Sequence, residues 1–95
     1  MAERSGSVVG IGAARRREIA VLQRAEHDLL ALAPADRAAV ALHVDALASD
    51  PIPRGALALH GRAEGHIQRR AGRFRLLYRV QGRTILLVAV TGGPV

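Results

Sequence analysis

Cysteine is absent from this chain of 95 residues, which excludes disulfides, thiolate zinc sites and cysteine nucleophiles. Lysine is absent as well: all 14 Lys-or-Arg positions are Arg, so each of these charges is a planar guanidinium that persists at any relevant pH. Aromatic residues amount to 2% of the chain, against 49% hydrophobic residues overall. Ala, Leu and Val must therefore build the core. Burying Ala contributes far less than burying Leu or Phe, and a chain this short hides only about two-thirds of its unfolded surface. A partner covering apolar surface would add stability. No long hydrophobic run occurs; Ile85 to Val90 is the longest and falls well short of a membrane span. Met1 to Ile11 lacks the basic start and apolar stretch of a secretory signal. These absences predict a soluble, cytoplasmic protein with one compact domain.

The formal net charge is +6. An all-Arg composition is most simply GC-rich coding, and the distribution says more than the total. Residues 1–50 hold six Arg against seven acids, whereas residues 51–95 hold eight Arg against Glu64 alone. A basic half joined to a neutral half points to a face that meets polyanions or an acidic partner.

The first 14 residues, rich in Gly, Ser and Ala, read as a flexible extension, with one domain over 15–95. Within the extension, Val8-Val9-Gly10-Ile11-Gly12-Ala13-Ala14 resembles the opening of a dinucleotide fingerprint. Arg15 stands where the third small residue is needed, and no repeated strand–helix units follow, which excludes that fold. Arg17 to Leu22 reads as a strand. Ala25, Leu29 and Leu32 then lay one apolar stripe along a short helix from about Arg24. Pro34 stops it, because the residue before a proline is pushed away from helical angles. A second helix begins near Ala35, with Asp36 in its first turn. Its stripe is Val40, Val44 and Leu47, widened by Ala39 and Leu42, and Ser49-Asp50-Pro51 ends it. So short a link predicts an antiparallel helical hairpin.

Ile52 to Gly65 reads as an irregular connection. From His66 the period becomes two: His66 to Ala71 is a strand, Gly72-Arg73 a turn, and Phe74 to Gln81 a second strand. Gln81-Gly82-Arg83 is a tight turn, and Thr84 to Val90, apolar on both faces, suits a central strand. The expected fold class is α+β: an N-terminal strand, a two-helix antiparallel hairpin, and a three-stranded antiparallel meander packed on the helices.

Alternation along Phe74–Val80 sends Phe74, Leu76, Tyr78 and Val80 to one face and Arg75, Leu77 and Arg79 to the other. Arg69 or Arg70 joins the Arg75 face according to register, with Arg73 at the turn. Such a guanidinium cluster could hold an RNA backbone and stabilise the extra charge of a phosphorane-like transition state. Arg on a solvent-facing strand is also common as mere surface. Among titratable groups His66 is the first candidate base, since imidazole titrates near neutrality, and Glu64 the second; a partly exposed histidine at a strand start is the plainer reading of His66. His27, His43 and His60 show no metal-ligand spacing with a second His, so neither a metal nor a cofactor is expected.

The run Ala25-Glu26-His27-Asp28-Leu29, the Leu32-Ala33-Pro34 break, Ala48-Ser49-Asp50-Pro51, Leu59-His60-Gly61 and Gly72-Arg73-Phe74-Arg75-Leu76-Leu77-Tyr78-Arg79-Val80 together resemble the RelE branch of the RelE/ParE toxin superfamily, in order over residues 17–91. The resemblance implies a toxin of a type II toxin–antitoxin system, wrapped and neutralised by a cognate antitoxin. For active RelE-type members it implies metal-independent cleavage of mRNA on the ribosome, a 2′-hydroxyl attacking the adjacent phosphate. Arg75 falls at the family's phosphate-stabilising Arg. His66 and Gln68 fall where some members carry basic residues. The family's C-terminal Arg and Tyr have no counterpart in Thr91-Gly92-Gly93-Pro94-Val95.

Three functions are therefore open at this point. An mRNA endoribonuclease would use Arg75 and His66 in catalysis, with Arg69, Arg70, Arg73 and Arg79 on the phosphates. A ParE-type protein would instead inhibit DNA gyrase by binding. An attenuated relative would survive as an antitoxin-binding module.

Overall fold

The computed structural model describes residues 16–92. The extension expected over 1–14, and the last three residues of the C-terminal segment, lie outside the described residues. The fold is α+β. In chain order it comprises β1 (Glu18–Val21), α1 (Gln23–Leu30), α2 (Pro34–Leu47), β2 (Leu57–Ala58), a turn of 3-10 helix (Gly61–Ala63), β3 (Ile67–Ala71), β4 (Phe74–Gln81) and β5 (Thr84–Gly92). One sheet runs in the order β1-β5-β4-β3-β2. β1 is parallel to β5, and every other neighbouring pair is antiparallel.

The first helix ends at Leu30, short of the expected Leu32 and three residues before Ala33, so the proline is not what stops it; Pro34 starts the second. It holds Ala33 in an extended conformation and stands at the first helical position of α2, where its missing N–H would have been unsatisfied anyway. Arg37, one turn into α2, reaches back over the end of α1. Its Nε donates to the Leu29 carbonyl at 3.1 Å and its Nη2 to those of Leu32 at 3.1 Å and Leu30 at 3.4 Å. A cation thus satisfies the orphan carbonyls at the negative end of a helix dipole. The helical pair is held by a guanidinium as much as by its short link.

Ala25, Val40, Val44 and Leu47 from the helices meet Phe74, Leu76, Tyr78, Ile85, Leu87 and Val90 from the sheet. The stripe expected on α2 is buried, but its widening by Ala39 and Leu42 is corrected. Both are exposed, Leu42 at 74%, because Ala39 stands about 100° and Leu42 about 200° around the helix from Val40. The connection from Ile52 to Gly65 is also more ordered than expected. It contributes β2 to the sheet edge and the 3-10 turn.

β5 is the central strand expected of its two apolar faces, lying between β1 and β4. Its pairing with β4 slips once: Tyr78 faces Leu87 while Leu77 faces Ala89. Val88 is the extra residue of a β-bulge. Past the slip, Val90 is buried towards the helices and Thr91 is exposed opposite Arg75. The Val90 N–H donates to Asp28 Oδ2 on α1 at 2.9 Å.

Candidate nucleic-acid interface

The alternation of β4 divides its side chains as its sequence implies. Phe74, Leu76 and Tyr78 are buried under the helices, and Arg75, Leu77 and Arg79 occupy the open face. Register then decides which neighbours join them. Arg70 is directly opposite Arg75, and Gln68 is opposite Leu77. One residue beyond the Ile67–Tyr78 pair, His66 is level with Arg79. Leu57 of β2 continues the Gln68 row, while Leu86 and Thr91 of β5 flank Arg79 and Arg75.

Three rows therefore cross the open face: Arg70–Arg75, then Leu57–Gln68–Leu77, then His66–Arg79. At roughly 3.3 Å of rise per residue, the two cationic rows stand about 13 Å apart along β4. Among the described residues, Glu18 is the acid that the strand pairing places on this face. It shares a row with Thr84 and Gln81, beyond Arg79 and farthest from Arg75.

Two of the arginines proposed from sequence for this cluster face elsewhere. Arg69 is opposite Leu76 and so lies on the helix side, beside Tyr78. Arg73 turns back from the β3–β4 turn to pair with Asp36 Oδ2 at 2.8 Å, its guanidinium 5.1 Å from the centre of the Phe74 ring. His66, expected to work with Arg75, is instead beside Arg79, two rows away.

Arg70 and Arg75 are both exposed, and among the described residues no acid pairs with either. Like charges directly opposite on a sheet are destabilising, so this pair is an electrostatic cost that an anion would relieve. Arg79 is set deeper. It is half-buried, and its Nε is shielded from solvent without a hydrogen-bond partner. Its guanidinium lies against Gly65, where a Cβ would come within 3.7 Å of Nη2. Gly65 has φ +90°, a conformation that side-chain-bearing residues rarely adopt.

Tyr78 belongs to the core. It is fully buried, and its hydroxyl donates to the Pro51 carbonyl at 2.6 Å. Burial pushes its pKa up from the ordinary 10.0 to about 12; the Arg69 charge pulls the other way and Asp50 adds to the rise. It stays protonated near neutrality and cannot serve there as a base. The folded chain holds this proton more tightly than the unfolded chain. Stability from this group is therefore complete below pH 10.0 and is lost as the pH climbs towards about 12. Tyr78 is the only tyrosine and the chain has no tryptophan, so tyrosinate absorbance reads this one group. The titration is expected to be displaced upward and to coincide with unfolding; a simple transition near the free tyrosine value in a still-folded chain would contradict it.

Sequence reasoning missed Leu57, because a two-residue strand carries no alternation to read. Among the described residues no group of His, Asp and Glu could hold a metal, and no helix is long and apolar enough to cross a membrane.

No family model and no curated protein matches the chain. Solved structures do. A chain of the toxin–antitoxin complex RelBE2 from Mycobacterium tuberculosis superimposes with a TM-score of 0.74 at 28% identity, covering 81% of this chain and 98% of its own. A chain of the archaeal RelE–RelB complex from Pyrococcus horikoshii gives 0.69 at 20% identity, over 81% and 94%. A doubly substituted mutant of the E. coli toxin RelE in the free state gives 0.62 at 15% identity, over 81% and 83%. Shared fold, and identity that reaches 28% over nearly all of the mycobacterial chain, place this protein in the RelE/ParE superfamily of toxins from type II toxin–antitoxin systems.

Proposed function

We propose that the protein is an mRNA-cleaving toxin, acting on translated messages and held in check by a small cognate antitoxin. The observation that carries the reading is the exposed Arg70–Arg75 pair, two guanidinium groups opposed on an open sheet face with no acid among the described residues paired to either. Each can hold a phosphate through two parallel hydrogen bonds. In the reaction the 2′-oxygen attacks the adjacent phosphorus and the P–O5′ bond breaks, giving a cyclic phosphate and a 5′-hydroxyl. Arg75 stabilises the charge that builds on the phosphate, and Arg70 holds the same group. His66 accepts the 2′-hydroxyl proton, and water returns one to the leaving oxygen. Because His66 faces Arg79, the attacking hydroxyl must lie over the Leu77–Gln68 row between the two cationic rows.

The antitoxin follows from the neighbours, two of which are toxin–antitoxin complexes. It also suits a chain that leaves Leu30, Leu42, Ile52 and Leu57 exposed. The test is inducible expression, with and without the adjacent reading frame. Growth arrest with cleavage of translated messages is expected, relieved by the neighbouring gene. Arg75→Ala should lower cleavage about 100-fold or more, the usual loss when one stabilising donor is removed. Growth arrest unchanged by Arg75→Ala would count against the nuclease.

A further inference from the structure

We infer that the open face holds two phosphates of one RNA strand at once, two nucleotide steps apart, with Arg79 forming the second subsite. The inference rests on the proposed RNA-binding role and specifies its substrate as a single-stranded segment with at least three consecutive phosphates. It grows out of the order of the rows. Both outer rows are cationic, Arg70–Arg75 and His66–Arg79, while the middle row of Leu57, Gln68 and Leu77 carries no charge. A generic basic patch would not alternate in this way. An extended strand lying along β4 would set a phosphate on each outer row and leave the intervening nucleotide over the middle one. There the side chains of Leu57, 59% exposed, and Leu77 offer apolar contact to a base, and the Gln68 amide offers it a donor and an acceptor.

Arg79 has the marks of a subsite rather than of loose surface charge. It is half-buried with an unpartnered, shielded Nε, and Gly65 packs on its guanidinium without a side chain to cover it. Its contact with Gly65, one residue beyond His66, draws it away from the Arg75 row, and the two strand positions are about 13 Å apart. That span suits two steps of an extended strand and is too long for one. Charged groups near Arg79 are His66 on the facing strand, Glu64 on the preceding turn and Glu18 one row beyond.

The probes are non-cleavable 2′-deoxy-substituted di-, tri- and tetranucleotides, which contain one, two and three phosphates. They are titrated at low salt into the full chain and into Arg79→Gln, Arg79→Lys and Arg70→Gln/Arg75→Gln. Gln removes the charge and ends two bonds short of the guanidinium tips, whereas Lys keeps a charge at nearly full reach; circular dichroism checks that each variant is folded. The wild type is expected to gain about tenfold on passing from three nucleotides to four, with each phosphate contact worth about 0.7 in the salt slope. Arg79→Gln should lose that gain and leave dinucleotide affinity within about twofold, while Arg79→Lys keeps most of it. No gain at four nucleotides, or a gain that survives Arg79→Gln, overturns the second subsite. If the Arg70/Arg75 double variant binds every length like wild type, the RNA-binding reading itself falls. If only the double variant weakens binding, that reading stands and the subsite at Arg79 does not.

Discussion

Leu87→Ala is expected to remove about half of the protein's stability, a loss of roughly 2–5 kcal/mol. Leu87 is fully buried at the point where three strands meet. It is level with Val21 of β1 and Tyr78 of β4, and its carbonyl accepts the Leu22 N–H at 3.0 Å. Truncation leaves a cavity that this sheet cannot easily close, because the neighbours that would move are tied to both adjacent strands. A domain this small has only about 4–12 kcal/mol in hand. The aliphatic core sharpens the effect. With one Phe and one Tyr in the whole chain, each buried Leu carries an unusually large share of the apolar surface. Thermal unfolding followed by far-ultraviolet circular dichroism reads the loss. Leu42→Ala, at a side chain 74% exposed, is the control and should change stability by less than about 0.5 kcal/mol. Comparable shifts for the two variants would mean that the core is not where the burial pattern puts it.

Much of this architecture was legible in the sequence. The change of period at His66 marks the meander, and the apolar spacings of Ala25 and Leu29 and of Val40, Val44 and Leu47 mark the two helices, although Leu32, expected on the first stripe, packs on the core from the link. The two apolar faces of Thr84 to Val90 mark a central strand. What could not be read was whatever depends on register or on contacts between distant segments. Arg69 and Arg70 are adjacent, and a shift of one residue exchanges their faces; only the pairing of Arg70 with Arg75 decides it. The same pairing places His66 beside Arg79 rather than Arg75. Arg73 was misplaced for a different reason: its partner Asp36 is 37 residues away, and nothing local announces the ion pair. β2 is too short to show a pattern. The candidate site was thus recognisable by residue type and strand face, whereas its division into two cationic rows was not.

Asp28 illustrates how such a distant contact shapes the face that carries the chemistry. The bulge at Val88 reverses the alternation of β5, turning Val90 to the helices and Thr91 to the open side next to Arg75. β1 stops pairing with β5 at Leu87, and beyond its end Asp28 Oδ2 accepts the Val90 N–H. Asp28→Ala should therefore cost about 1–3 kcal/mol, the usual penalty for a shielded donor left without its acceptor. The pair with Arg24, at 3.3 Å, contributes little, since the Arg24 side chain is 67% exposed and such pairs are worth under about 1 kcal/mol. Arg24→Ala should accordingly be nearly neutral, and Asp28→Asn, which keeps one acceptor oxygen, should fall between the two. Urea denaturation gives the size of the effect, and amide hydrogen exchange gives its place. In Asp28→Ala the Val90 amide should exchange faster than the amides of β4, because the end of β5 loosens before the sheet as a whole opens. Equal acceleration across both strands would show that Asp28 supports global stability only. Selective loosening would mean that one carboxylate on α1 fixes the strand end that flanks Arg75.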